Sequence, residues 1–310
     1  ETFPLYPLNL IAMLRLYSCK LCSSQKILVI KEYRATSSLN STWTQAFASA
    51  LEGVDEVHIG LALCLSCGFL FYRDVLDDSE LEKLYADEHR YSKVEVSATK
   101  SGRLWELEKM QKFVAKNVQE KNIKTVMDVG AGDFVALEKI VETLPGASFS
   151  AIDPSFEKDT FKGIQVFRTM LKDFVAKDEY DFVMAVHVLE HVGNLHEFMS
   201  QLERIAGRYL YIEIPFQVSP GLFLNRSANA QHINYFTVGT IRRLIESHGF
   251  VVQDCEFSTD GYVYNGMPGM IRVFASKKSQ KEKLKNSLFE SLVYLSNPGL
   301  FVRAKFGKRS

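Results

Sequence analysis

Three groupings in the 310-residue chain bring together residue types that could do chemistry. The first is a set of four cysteines in two C-x-x-C pairs, Cys19/Cys22 and Cys64/Cys67. Four thiolates in this form suit a closed, tetrahedral, structural zinc site. The rival is a redox pair, which normally opens a helix after a strand; neither pair is so placed. The 41-residue spacer is longer than in common zinc ribbons, and the fifth cysteine, Cys255, stands alone. The second grouping is Val126-Met127-Asp128-Val129-Gly130-Ala131-Gly132-Asp133, an apolar run entering a Gly-x-Gly turn. Glycines let a ligand approach the backbone, and free N–H groups at a helix start favour an anionic group. The third is His187-Val188-Leu189-Glu190-His191. It fits the H-x-x-E-H pattern of zinc peptidases, but that chemistry needs both histidines on one helix face. Here the segment leaves an apolar strand, which places His187 at a strand end.

The elements that must position these groups follow from periodicity. Apolar runs at 124–129, 148–153, 164–167, 180–188 and 209–214 read as strands, the fourth nearly continuous, as in a strand covered on both faces. Helices fit 134–144, N-capped by Asp133 and stopped by Pro145-Gly146, then 194–206, then 238–248 with Gly249 as its stop. Two last β-like runs, 250–257 and 270–275, suit antiparallel pairing. An amphipathic helix fits 101–119, with Leu104, Leu107, Met110, Phe113 and Val114 at helical spacing. An acidic, helical connector is expected at 78–91. The spacer between the cysteine pairs reads as polar and irregular. Alternating strands and helices predict an α/β fold with a largely parallel sheet. Its ligand site belongs at the carboxyl ends of the first strands.

Which ligand the glycine loop takes is narrowed by elimination. A dinucleotide fingerprint needs a third glycine where Val135 stands, and no phosphate loop is present. A ligand lacking pyrophosphate relaxes that demand, and S-adenosylmethionine is one. Asp153, 25 residues after Asp128, can accept hydrogen bonds from both ribose hydroxyls. Residues 124–276 resemble a class I S-adenosylmethionine-dependent methyltransferase. Asp128, Gly130 and Gly132 match its D-x-G-x-G-x-G motif, with Phe134 in place of the last glycine. Ala151-Ile152-Asp153-Pro154 resembles the second motif, and Asp181 through Val192 the fourth-strand motif. The resemblance implies a Rossmann-like, seven-stranded sheet with an antiparallel last strand. It implies that Asp128, Gly130, Ala131 and Gly132 hold the methionine end, and Asp153 and Pro154 the ribose. Met170 and Leu171 would flank the adenine, with His187 and Val188 flooring the pocket. A hydroxyl or carbon acceptor needs a base. His191, with Glu190 as orienter, is the first candidate and His232 the second; the plain alternative is hydrogen-bonded structural histidines. A zinc module ahead of such a domain resembles the sugar and natural-product methyltransferases. There the module helps cover the acceptor, which makes Tyr72 and Tyr91 candidate contacts beside their reading as core.

This predicts a zinc module at 1–76, a helical connector at 77–119, the methyltransferase domain at 120–277 and a basic amphipathic tail at 278–310. The expected partner is a small-molecule acceptor such as a nucleotide-linked sugar, a glycan precursor or a natural product. The alternative is a non-catalytic zinc-binding protein on the same scaffold, suggested only by Phe134. Lys+Arg and Asp+Glu are both 37, so nothing global favours nucleic acid as partner. The tail reads first as a solvated helix and second as a membrane-surface contact. With no leader pattern and an odd cysteine count, a cytoplasmic setting is expected. The chain opens on Glu1, and Met13 is a candidate native start that N-terminal mass spectrometry would test.

Overall fold

The computed structural model describes residues 14–36, 56–75, 100–119, 121–218, 232–258 and 269–279. The connector at 78–91 with Tyr91, the tail beyond 279 and Met13 lie outside the described residues. In chain order the strands are β1 (Leu14–Arg15), β2 (Ile27–Thr36), β3 (Glu56–Cys64), β4 (Leu70–Tyr72) and β5 (Asp74–Val75). Helix α1 (Lys100–Val118) precedes β6 (Thr125–Val129), α2 (Val135–Thr143), β7 (Ser148–Ile152), β8 (Thr160–Phe161), β9 (Ile164–Phe167) and β10 (Tyr180–Val186). Then come α3 (Leu195–Ile205), β11 (Ala206–Phe216), β12 (Asn234–Tyr235), α4 (Val238–Glu246), β13 (Phe250–Ser258) and β14 (Gly269–Lys277). Among the described residues no helix is long and apolar enough to cross a membrane.

The main sheet has eight strands in the order β13-β14-β11-β10-β6-β7-β9-β8. The central five are parallel, and β14 inserts antiparallel beside β11. The eighth strand, β8, is one more than the resemblance implies. It forms a two-residue hairpin with β9 through Lys162 and Gly163, both at positive φ (48° and 84°), as a type I′ turn requires.

Alternate residues of the central strands feed two cores. Met127, Val129, Val183 and Ala185 pack under α3 and α4, while Val126, Phe182 and Met184 pack under α1 and α2. Three local expectations differ from the structure. The N-cap of α2 is Phe134, in a left-handed conformation with no side-chain cap, rather than Asp133. β10 stops at Val186, because His187 turns to φ 56°. The described parts of the spacer between the cysteine pairs are not irregular: β2 and β3 form a long antiparallel ladder, bulged between Val29 and Lys31.

β2, β3 and β4 belong to a second, four-stranded sheet whose other edge is β12, from far along the chain. Cys19, Leu21, Phe69 and Phe71 of this region share one core with α3, α4 and the face of the main sheet beneath them. The cysteine turns are therefore packed against the layer that carries the third chemical grouping.

Candidate functional site

Each C-x-x-C turn closes on itself in the same way. Ser23 N donates to Cys19 O and Gly68 N to Cys64 O, at 2.9 and 2.8 Å, and both donors adopt positive φ. The turns face each other, with Sγ separations of 3.6 Å for Cys19–Cys67 and for Cys22–Cys64. All four sulfurs lie within 4.8 Å of one another. A disulfide would need about 2.05 Å, whereas sulfurs sharing one tetrahedral zinc stand about 3.8 Å apart for bonds of about 2.3 Å. The geometry fits a metal.

The turn of Cys19–Cys22 is tied to the loop after β10. Lys20 Nζ donates to Val192 O at 3.1 Å, and His196 Nε2 lies 3.2 Å from Leu21 O. That loop lines a cavity of about 330 Å³ at the carboxyl ends of β6, β7 and β10. Of the predicted cofactor residues, Gly130, Gly132, Asp153, Pro154, Met170, Leu171, His187 and Val188 line it, as does His191. Asp128, Ala131, Glu190 and His232 are not among its lining residues. Thr169, Lys172, Asn194, Glu197, Phe198 and Gln201 line it unforeseen. The one sequence signal for these was the helix start at Asn194, which caps α3 by accepting from Glu197 N.

The glycine loop has no room for a side chain at Gly130. A Cβ on Gly130, at φ 74°, would sit 2.7 Å from Val188 Cγ2. Gly132 N donates to Asp153 Oδ2 at 2.7 Å, and Ser155 N and Oγ donate to Oδ1 at 2.9 and 2.7 Å. A carboxylate has about four acceptor sites and three are taken, so Asp153 retains about one for a ligand's hydroxyl. Behind the loop, Asp128 is buried and its Oδ1 has no hydrogen-bond partner among the described residues. Burial, with the charges of Asp153 and Asp133, pushes its carboxyl up to about 8. Phe134 adopts φ 65°, the conformation a glycine would supply, and is fully buried between Phe161 at 4.4 Å and Phe156 at 4.6 Å. Aromatic burial offsets the left-handed backbone, and the loop keeps its shape without the third glycine.

The far wall is charged. His187 Nδ1 lies 3.3 Å from Glu190 Oε1 and its Nε2 3.7 Å from Glu213 Oε1. Burial opposes a charge on His187, but these two carboxylates outweigh it and push the imidazolium up to about 10. Glu213 is held by buried Arg272 and by Tyr211 Oη, both at 2.6 Å. Glu190 is 1% exposed; burial works against its charge, yet His187 and the other imidazoles bring it down to about 2. His191 Nε2 is 3.8 Å from Glu190 Oε1, and its ring meets that of His232 edge-on at 4.7 Å. Burial, and the charge of His191, push His232 down to about 3. Tyr72 is buried with its Oη 2.6 Å from that of Tyr235, and it does not line the cavity.

Residues 103–254 match the family described as "Methyltransferase domain". The matched span is a methyltransferase domain, and the chain is an S-adenosylmethionine-dependent methyltransferase. The match begins within α1, so that helix belongs to the matched span. Among solved structures the chain is similar to 1,6-didemethyltoxoflavin-N1-methyltransferase of Burkholderia thailandensis, with bound substrate and S-adenosylhomocysteine. The likeness is 13% identity and a TM-score of 0.50 over 64% of this chain and 88% of that one. It is also similar to magnesium protoporphyrin IX methyltransferase of Synechocystis PCC 6803, at 16% identity and a TM-score of 0.48 over 64% of this chain and 100% of that one. No curated protein matches the chain in sequence.

Proposed function

We propose that the protein methylates a small polar acceptor in the cavity between the glycine loop and the His187–His191 wall. A nucleotide-linked sugar, a glycan precursor or a natural product is the expected class. The observation that carries this reading is that Gly130, Gly132, Asp153 and His191 all line one cavity. S-adenosylmethionine supplies an electrophilic methyl group on its sulfonium. Gly130 to Gly132, backed by the buried Asp128 carboxyl, would hold its methionine end. Asp153 with Pro154 would hold the ribose, Met170 and Leu171 the adenine, and His187 and Val188 the floor. What remains for the protein is alignment of the acceptor and handling of its proton. His191, on the wall and beside Glu190, is the residue placed for that. His232 stands behind it. The four cysteines would hold one structural zinc ion that braces the loop through Lys20 and Leu21. We propose the division into a module at 1–76, a connector at 77–119, a catalytic domain at 120–277 and a tail at 278–310.

Labelled S-adenosylmethionine offered with a panel of nucleotide-sugars, glycan intermediates and small phenolic or amine metabolites tests this. Transfer to one class supports the reading. Binding of S-adenosylhomocysteine with no transfer to any would favour a non-catalytic scaffold.

A further inference from the structure

The carboxylate of Glu190 faces imidazole charge, yet its lone pairs carry no hydrogen bond among the described residues. It is 1% exposed. The nearest imidazole nitrogens, on His187 and His191, stand 3.3 and 3.8 Å away. A buried carboxylate with unused lone pairs is costly unless a cation meets it.

His232 is oriented as a ligand would be. Its Nδ1 lies 2.7 Å from Gln217 Oε1. An amide oxygen only accepts, so Nδ1 carries the proton and Nε2 presents a lone pair. A hydrogen-bonded second nitrogen is what fixes the tautomer and ring orientation of metal-bound histidines. One donor atom each from Glu190, His191 and His232 lies within 4.8 Å of the others. Two donors at about 2.1 Å from one tetrahedral ion stand about 3.4 Å apart, so the three must draw together on binding, from 3.8 Å in the case of His191 Nε2 and Glu190 Oε1.

The backbone holds the three ligands together. Ile233 N donates to Glu190 O at 2.8 Å. Asn234 Nδ2 donates to Leu189 O and to Val192 O, both at 2.8 Å. Glu190 and His191 share the 3-10 turn 189–191, so the segment carrying His232 is clamped on both sides of the turn.

We infer that Glu190, His191 and His232 bind one divalent first-row transition-metal ion at the edge of the cavity. Two imidazoles and one carboxylate suit manganese, iron, cobalt, nickel or zinc better than magnesium or calcium. Three protein ligands leave open positions, and His191 brings the site to the cavity wall. With His191 engaged as a ligand in place of the role of base, an oxygen of the acceptor completes the coordination, releases its proton to solvent and keeps the electron pair. The acceptor part of this inference rests on reading the cavity as the methyl-transfer site; the metal site itself does not.

The test is a titration of the intact chain, loaded with a single equivalent of zinc to fill the cysteines, with Co²⁺, read by visible absorption. The expected result is one Co²⁺ per chain, with ligand-field bands and without the thiolate charge-transfer band that the cysteines would add. Glu190→Gln and His232→Gln are expected to weaken binding at least tenfold. If either variant loses its circular-dichroism signature, His191→Gln, on the cavity wall, carries the comparison. Calorimetry with S-adenosylhomocysteine on the same samples separates the two readings. Co²⁺ binding without S-adenosylhomocysteine binding would sink the methyl-transfer reading and leave the metal site standing. The inference is overturned if the parent binds no Co²⁺ outside the cysteines, or if folded variants bind it as tightly as the parent.

Discussion

The cysteine cluster and the Glu190–His191–His232 cluster lie at two ends of one hydrogen-bonded path. It runs from Lys20 to the Val192 carbonyl, then through Asn234 Nδ2 to Leu189 in the turn at 189–191. The first cluster has four like donors facing one another, closed within its own turns. The second has three donors of two kinds, one of them on the wall of a cavity. The difference teaches where each kind of perturbation should be felt: in folding for the closed cluster, in chemistry for the open one.

The sharpest way to break that contrast is Cys64→Ser. It should remove the zinc measured per chain by elemental analysis and lower stability by several kcal/mol, because binding of a structural metal is also folding free energy. A variant that keeps its melting temperature would show the cysteine cluster to be dispensable. His191→Ala should do the reverse. Turnover is expected to fall roughly 10²- to 10⁴-fold, with the urea midpoint nearly unmoved. Gly130→Ala probes the cradle between them. Its Cβ meets Val188 Cγ2 at 2.7 Å in a left-handed backbone, so affinity for S-adenosylhomocysteine should fall about 100-fold, roughly 3 kcal/mol, by calorimetry.

Asp128 predicts a pH dependence. Its carboxyl holds a proton to about 8 in the folded chain, against about 3.9 unfolded. Between those values the folded state binds more protons, so stability falls as pH rises from about 4 to about 8. Asp128→Asn should flatten that slope, a change of a few kcal/mol across the window, read by urea unfolding of the ligand-free protein. The smallest effect expected is for Phe134→Gly. Relief of the left-handed backbone recovers roughly 1–2 kcal/mol, while lost aromatic burial costs about 3. The net loss should be about 1–2 kcal/mol by thermal denaturation.

The two clusters also differ in how they could be read before folding. Cys19/Cys22 and Cys64/Cys67 advertise themselves by local spacing, as does the run from Val126 to Gly132. The parallel strands were legible because both of their faces are apolar. His187, Glu190 and His191 were legible as a string. Their joining to His232 depends on hydrogen bonds from Ile233 and Asn234 to the turn at 189–191, contacts with no local signature. The charged support of His187 was equally hidden, since Arg272 meets Glu213 only through the register of β14 on β11. The ladder of β2 and β3 escaped notice because its bulge between Val29 and Lys31 breaks the alternation of faces. Phe134 looked like a flaw in the glycine loop. Its compensation lies in Phe156 and Phe161, more than twenty residues on.

The edge strand Asn234–Tyr235 bears on how such proteins can be recombined. Transplanting the first 76 residues onto another catalytic core would carry β4 without its neighbour and bare its main-chain hydrogen-bonding edge, an invitation to aggregation. A working chimera would have to bring residues 232–236 along with the cysteines. The natural unit of exchange is thus discontinuous: two stretches of chain inherited as one part.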